Sequence, residues 1–550
     1  MNAKTINADG MTIRTEKRLL LDLYREEWNL PYSENPVVAA RANGILTSLR
    51  EEIEDNATIE SIRLFSLFGK RVYRKSLCLL LSYSSAELYP DKTLVIGHSL
   101  GDGFYFSYRD GFKPDINALK KTMEAAIKED LSIDIIRKSS DQAEKYAEEH
   151  NLKETQKLLE SRNDESYEFT AIGDFMSVYY EPVLPSLRIL EVWDLIEYKD
   201  GLLLRYPQSR HPLSLMEFSD NPLLFSVFRE NKRIARNIGL ESLGALNEAV
   251  RCGEINEKIL LSEIAMQKRI SEAADDIAKK GTVKCVFISG PSSSGKTTFS
   301  MKLALELRAL GYNPIKISLD DYYLKRELVP IDEDGEKDYE VLEALNLELF
   351  RSQLSSLIGG ENVNLASFSF KEQKTVFSST PVSMNDSSIL IIEGIHGLNP
   401  ALVPHIDSSL IYRIYISALT QLNLDSKSRI STTDNRILRR LVRDARTRGF
   451  DAVETLSRWP SVERGEKNNI FPYQNNADIM VNSALEYELG VLSVYAIPLL
   501  KSVRKDTGTP FTTARRLLEF LSLVYPISSE AVPADSILRE FIGGSAFNAT

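Results

Sequence analysis

Gly290-Pro291-Ser292-Ser293-Ser294-Gly295-Lys296-Thr297 fits the pattern GxxxxGK[ST]. An apolar run, Cys285–Ser289, precedes it and a helix-period stretch follows to Leu310, which is the strand, loop and helix setting that such a loop requires. Glycines let backbone N–H groups close around phosphate oxygens, and the helix starting at Thr297 turns its positive end toward them. Gly290, Ser292, Ser293, Ser294, Gly295, Lys296, Thr297 and Thr298 are therefore expected to cradle a nucleoside triphosphate. Lys296 would neutralise its terminal phosphates, and the Thr297 hydroxyl would ligate Mg2+.

A loop of this kind serves kinases, GTPases, motors and transporters alike, so the accompanying motifs decide the chemistry. Ser318-Leu319-Asp320-Asp321-Tyr322-Tyr323 closes the next apolar run and puts two carboxylates at the carboxyl edge of a sheet, where doubly wound folds bind ligands. Asp320 is the candidate general base, accepting a hydroxyl proton as phosphoryl is transferred; a capping or turn aspartate is the competing role. Ile389-Leu390-Ile391-Ile392-Glu393 reads as a buried strand ending in an acid that joins the magnesium site, against the alternative of a surface glutamate. In TDNRILRRLVRDARTRG, Arg436, Arg440 and Arg443 are spaced to share a helix face, and Arg439, Arg446 and Arg448 lie nearby. Such a face suits a lid that stabilises charge on a transferring phosphoryl group. A solvated helix or an RNA-binding stripe is the alternative, and Asp434 and Asp444 point to some internal pairing.

The elements that must position these groups are legible in outline. From Val283 onward strands alternate with helices, with Ile315–Leu319, Ile389–Ile392 and Ser409–Ile416 as further strands, so a parallel α/β sheet with crossover helices is expected. Ahead of it, Leu260, Ile264, Ile270, Ala274 and Ile277 keep a helical period through Glu254–Lys280, with Gly281 as the stop. Strand-like Thr93–Gly97 and Gly103–Tyr108 with a helical stretch at Ile116–Glu149 predict an α+β domain; the charged residues of Arg137–Ser166 read as a solvated helix surface. Residues 37–66, with a turn at Asn43–Gly44, suggest a small β-grasp-sized module. The 550 residues are too many for one core, and 43% hydrophobic against 26% charged residues excludes a largely disordered chain. A net charge of −11 argues against a protein that coats nucleic acid. Cys78, Cys252 and Cys285 form no CxxC pair, and the five histidines are scattered, so neither a disulfide framework nor a zinc site is indicated. No secretory signal or membrane span is read, and a cytoplasmic location follows as an expectation.

Together, GPSSSGKT, LDDYY, IIEG and TDNRILRRLVRDARTRG resemble the uridine kinase branch of the phosphoribulokinase and uridine kinase family over about 283–500. The resemblance implies transfer of phosphate from ATP, with Mg2+, to the 5′-hydroxyl of a ribonucleoside, uridine or cytidine. It implies Asp320 as base, Glu393 as the magnesium-associated acid, and Arg440, Arg443 and Arg448 as lid arginines. Asp321, Tyr323, Tyr339, Glu340 and Arg436 would stand on the substrate side, with Phe368 and Gln373 at the base. The family usually has a tyrosine and a histidine at these last two positions, and a lid arginine where Phe450 stands, so the preferred base stays open. A phosphoribulokinase-like enzyme and an RNA-binding, ATP-driven regulator are the alternatives.

The N-terminal half resembles the leading domains of threonyl-tRNA synthetase, carried by IGHSLGDGFYFSY at Ile96–Tyr108 and GDFMSVYYEPVLPS at Gly173–Ser186. The family's HxxxH and CxxxH pairs fall on Lys75 and Leu79, then Tyr179 and Val183, which cannot reproduce a histidine and cysteine site. The expected order is a TGS-like module at 1–67, a degenerate editing-like domain at 68–245, a connecting helix at 246–281, the kinase domain at 282–500 and a helical extension at 501–550. RNA contact through the N-terminal half and self-association are left open. The extension has helical periodicity at Ala514–Leu523 and a SILREFIGG segment to which the sequence assigns no chemistry.

Overall fold

A computed structural model describes residues 3–162, 164–332, 335–369 and 374–547. Its strands fall into separate sheets, as expected of a multidomain α/β chain. The first is five-stranded, in the order Met11–Thr15, Lys4–Ala8, Thr58–Arg63, Val37–Ala42, Ile45–Thr47. Two tight turns shape it: Asn43-Gly44 and Asp9-Gly10 all take positive φ, the backbone that a two-residue hairpin requires. The strand-like runs read from the sequence lie within 37–66; the hairpin about Asp9-Gly10 adds two strands ahead of them, inside the 1–67 module.

The next part holds the 22-residue helix Leu67–Leu88 and two antiparallel sheets. One orders Phe175–Val178, Ser166–Ile172 and Asp134–Ser139; the other orders Asp194–Tyr198, Gly201–Arg205, Gly103–Tyr108 and Leu94–Leu100. Here one expectation fails. Ile116–Glu149 is not a single helical stretch: helix Ile116–Lys128 stops, Asp134–Ser139 pairs with Ser166–Ile172, and a second helix, Ser140–Glu149, begins. The β-branched Ile135 and Ile136 favour the strand, and Ser139 then caps the new helix with Gln142 returning the bond.

Helix Ile255–Lys280 leads into the third part and ends at Gly281 with φ +65°. Its buried face is Ile259, Glu263, Met266, Ile270, Ala274 and Ile277, whereas Leu260 and Ile264 face outward, contrary to the stripe drawn from the sequence. The true face begins one residue earlier. It admits the carboxyl of Glu263, which takes the hydroxyl of Tyr487 at 2.6 Å, a polar pairing that an apolar-period count cannot detect.

The third sheet is all parallel, in the order Asn313–Ser318, Ser388–Glu393, Cys285–Ser289, Ile411–Ser417, Ile479–Asn482. Cys285–Ser289 is buried at every position and Ser388–Glu393 at all but Glu393, because helices cover both faces. The chain leaves the central strand to one side for Asn313–Ser318 and Ser388–Glu393, then crosses to the other for Ile411–Ser417. Such a reversal opens a crevice at the carboxyl ends. The helix Thr509–Leu521 and the segment through Ile542 join the same core as the sheet, through Leu517, Leu521, Ile537 and Phe541.

Candidate active site

The glycine loop, Glu393 and the arginine-rich stretch meet at the carboxyl edge of the parallel sheet. The loop after Cys285–Ser289 turns through left-handed Ser293 and Gly295, with φ of 60° and 82°, and enters the helix Lys296–Ala309. Gly290 admits no side chain, since a Cβ there would stand 1.8 Å from the carbonyl oxygen of Ile416. Lys296 folds back over the loop, and its ammonium donates to the carbonyls of Gly290 and Pro291 at 3.0 and 3.1 Å. Burial pulls its pKa down, and the carboxylates of Glu393, Asp320 and Glu540 oppose that shift.

Glu393 ends its strand beside Ser318 in register. It accepts the hydroxyls of Thr297 at 3.2 Å and Ser318 at 3.3 Å. Burial first, then the neighbouring Asp320, raise its carboxyl to about 7, with Lys296 pulling the other way. The donor set fits a phosphate chain with a hard cation: a hydroxyl and two acids gathered opposite a cationic loop. A second observation agrees. Two loop N–H groups are already bound to carboxylates, Ser292 to Glu466 at 3.1 Å and Thr298 to Glu540 at 3.1 Å, so the loop holds anions.

The arginine-rich helix is Thr432–Arg443, continued by a wider turn at Asp444–Arg448 and closed by Gly449 at φ +68°. Arg436 donates to the Ser292 carbonyl at 3.1 Å and to Glu466, and Arg440 reaches the Ser292 hydroxyl at 2.9 Å. Arg443 does not join them on the loop. It pairs with Asp444 at 2.9 Å, and Arg440 and Arg448 approach the same carboxylate at 3.2 and 3.7 Å. Asp444 thus holds three arginines beside the loop, which offsets their mutual repulsion.

On the other rim, Tyr323 donates to the Tyr339 carbonyl at 3.2 Å, and their rings meet edge-on. Glu340 packs against Gly465, where a Cβ would stand 2.3 Å from the glutamate's own; burial and the adjacent Glu466 raise its carboxyl to about 7. Asp321 accepts from the Ser367 hydroxyl at 3.0 Å and the Phe368 N–H at 3.1 Å, so it fastens the hairpin Ala366–Ser369 and Lys374–Phe377 to the sheet edge. Phe368 is buried in that hairpin, and Gln373 lies outside the described residues.

Residues 285–489 match the model of the Phosphoribulokinase / Uridine kinase family. The chain carries a domain of this family. Among solved structures, the chain is similar to a putative fructose transport system kinase from Silicibacter sp. TM1040, at 17% identity, covering 38% of this chain and 98% of that one with a TM-score of 0.28. It is also similar to a possible uridine kinase from Bacillus stearothermophilus, at 16% identity, 38% and 98% coverage and a TM-score of 0.26. The N-terminal region matches threonine–tRNA ligases. That of Clostridium novyi (strain NT) is 27% identical over 192 residues, 34% of this chain and 30% of the ligase; that of Acidithiobacillus ferrooxidans (strain ATCC 53993 / BNL-5-31) is 29% identical over 165 residues, 29% and 25%. The chain thus spans between a quarter and about a third of the length of the curated relatives it matches.

In the ligase-like region Lys75 and Leu79 lie one turn apart on helix Leu67–Leu88, and Leu79 and Val183 are core residues. A loop of the kinase-family domain enters between the sheets here. Lys75 donates to the Ser428 hydroxyl at 2.7 Å with its ammonium over the Tyr180 ring, Ile96 N–H bonds the Ser426 carbonyl at 2.9 Å, and Thr155 bonds Asp425 at 3.1 Å. Tyr179 pairs through its backbone with Glu168. Among the described residues no group of three or more His, Cys, Asp or Glu is arranged to hold a metal ion.

Sequence reasoning missed Glu466, Glu488 and Glu540, and it named Arg439 only as a neighbour in the arginine-rich stretch. Glu466 and Glu540 reach the loop from far along the chain, where no local pattern marks them. Arg439 and Glu488 form a fully buried pair beneath it, and Arg439 also donates to the Ser483 carbonyl at 2.7 Å. The only sequence signal was that SILREFIGG, an apolar segment with two charges, had no other purpose.

Proposed function

We propose that the kinase-family domain, at about 282–500, is a nucleoside kinase that phosphorylates the 5′-hydroxyl of a ribonucleoside, uridine or cytidine, using Mg·ATP. What carries this reading is the gathering of Asp320, Glu393, Lys296 and Thr297 at one sheet edge under the arginines of the lid. When bound, Mg·ATP supplies the transferable phosphoryl group and the cation that offsets its charge. Asp320 accepts the acceptor hydroxyl's proton, a role that depends on position more than on a raised pKa. Lys296, Arg440, Arg443 and Arg448 stabilise negative charge on the oxygens in transit. Thr297 and Glu393 hold the cation, and Tyr323, Tyr339, Glu340 and Arg436 shape the sugar side. Phe368 forms part of the base contact, an apolar wall where a hydrogen-bonding site would discriminate more strongly.

The ligase-like region, at about 68–245, acts as architecture for the kinase, with the module at 1–67 before it and an extension at 501–550 after it. Among the described residues no helix is long and apolar enough to cross a membrane. We place the enzyme in the cytoplasm, acting on a small molecule.

The test is turnover by the full chain with ATP, Mg2+ and a panel of ribonucleosides and sugar phosphates, beside Lys296→Met and Asp320→Asn. Uridine or cytidine is expected to be phosphorylated, and both substitutions should lower turnover at least a hundredfold. Phosphorylation that survives both substitutions would place the chemistry elsewhere.

A further inference from the structure

Glu540 sits inside the phosphate cradle. Its Oε2 accepts the backbone N–H of Thr298 at 3.1 Å and the Thr298 hydroxyl at 3.0 Å. Thr298 is the third residue of the helix Lys296–Ala309, so its N–H is among the four that have no partner within the helix. Such groups draw anions, and here the anion belongs to the chain itself.

The contact is built from several sides. Lys302, one turn further along the same helix, binds the carboxylate of Asp535 at 2.7 Å and its carbonyl at 3.2 Å. Ile537 closes over the loop, its Cγ2 only 2.5 Å from where a Cβ on Gly295 would stand. From the lid, Arg446 donates to the carbonyls of Glu540 at 2.9 Å and Phe541 at 3.1 Å. The guanidinium of Arg439 lies over the Phe541 ring, 5.0 Å from its centroid, and that ring is fully buried. The segment Asp535–Ile542 is thus fastened to the loop, to the helix behind it and to the lid.

Resting on the phosphate-site reading of the loop, we propose that this segment is a built-in inhibitor that competes with nucleotide, the Glu540 carboxylate standing where a phosphate oxygen would bind. Nucleotide phosphates need the Thr298 N–H and cannot share it with a carboxylate of the same sign. Binding therefore requires Glu540 to withdraw, and the free energy of its charge-assisted hydrogen bonds is subtracted from nucleotide affinity. Because Arg446 holds the segment by two carbonyls, its release is tied to movement of the lid.

The test measures ADP affinity, with Mg2+, for the full-length protein by isothermal titration calorimetry, comparing wild type, Glu540→Ala, Arg446→Ala and Lys296→Met. Glu540→Ala should bind ADP about tenfold more tightly, the scale of one charge-assisted contact. Arg446→Ala should shift affinity in the same direction by a smaller factor, and it carries the test alone should Glu540→Ala fail to fold. If wild type binds ADP, Lys296→Met weakens it, and the two release variants bind no more tightly than wild type, the inhibitor is overturned while the phosphate site stands. If ADP binds neither wild type nor the release variants, or binds Lys296→Met as well as wild type, the phosphate-site reading falls and the inhibitor with it.

Discussion

Arg516 holds Asp434 with both of its terminal nitrogens, each 2.7 Å from a different carboxylate oxygen. Asp434 is the third residue of the lid helix, and Arg71 of the ligase-like region reaches the same carboxylate at 3.1 Å. Glu181 completes the cluster, 2.5 Å from Arg71 and 3.5 Å from Arg516. Three parts of the chain thus share one buried ionic group at the root of the lid. Removing one partner from such a group leaves uncompensated charge, so Asp434→Asn should cost about 3–5 kcal/mol in a denaturant titration. The loss should be shared between the ligase-like region and the kinase-family domain, seen as one lowered transition by fluorescence and circular dichroism together.

The same cluster sets an acid limit. Arg516 and Arg71 hold the Asp434 carboxyl well below its ordinary 3.8, against a burial effect that raises it. A depressed folded pKa contributes stability that is complete above the unfolded value and is lost as pH falls through the folded one. Wild type should therefore lose stability steeply below about pH 4, whereas Asp434→Asn, already lacking the charge, should show a flatter decline. Denaturant midpoints measured at pH 7, 4 and 3 separate the two.

The glycine loop was legible because its spacing is local: eight residues that follow an apolar strand and lead into a helix at the sheet edge. Asp320 and Glu393 were legible for the same reason: Glu393 ends a strand of the parallel sheet, and Asp320 stands in the turn directly after another. What could not be read were partners distant in sequence. Asp321, expected on the substrate side, also holds a hairpin through Ser367 and Phe368, a pairing no spacing announces. The face of helix Ile255–Lys280 was misdrawn because Glu263, a charged residue, is inside with Tyr487, while Leu260 and Ile264 are outside. Arg443, expected to share a phosphate-suited helix face with Arg436 and Arg440, pairs with Asp444, where the helix passes into a wider five-residue turn.

Glu340 offers a contest between stability and function. Its carboxyl, raised to about 7 by burial and by Glu466, is costly to ionise, so the folded state loses stability as pH rises from about 4.5 through 7. Glu340→Gln removes that cost and should stabilise the protein at pH 8 by about 1–3 kcal/mol, with little effect at pH 4.5. If Glu340 holds the sugar, the same substitution should raise KM for the nucleoside several-fold while leaving KM for ATP unchanged. A melting curve at each pH and a KM determination for each substrate test both halves.

Arg439 and Arg443, one helical turn apart, should fail in opposite ways. Arg439 is fully buried, paired with Glu488, bonded to the Ser483 carbonyl and packed on Phe541; it also touches the Ser293 carbonyl at 3.3 Å. Its work is to hold the loop's underside, and no substrate can reach it. Arg439→Met strands the Glu488 carboxylate in the core, so it should lower stability by about 3–5 kcal/mol and disturb nucleotide binding through the loop. Arg443 instead stands near Lys296, close enough to affect its pKa, with Asp444 as its ion-pair partner. Arg443→Ala should change stability little and lower kcat by about a hundredfold, because the charge it offers matters only while phosphoryl oxygens gather negative charge between donor and acceptor. Unchanged kcat in Arg443→Ala, with ADP affinity also intact, would assign this arginine to Asp444 alone and leave Arg440 and Arg448 as the lid charges that act on the phosphoryl group.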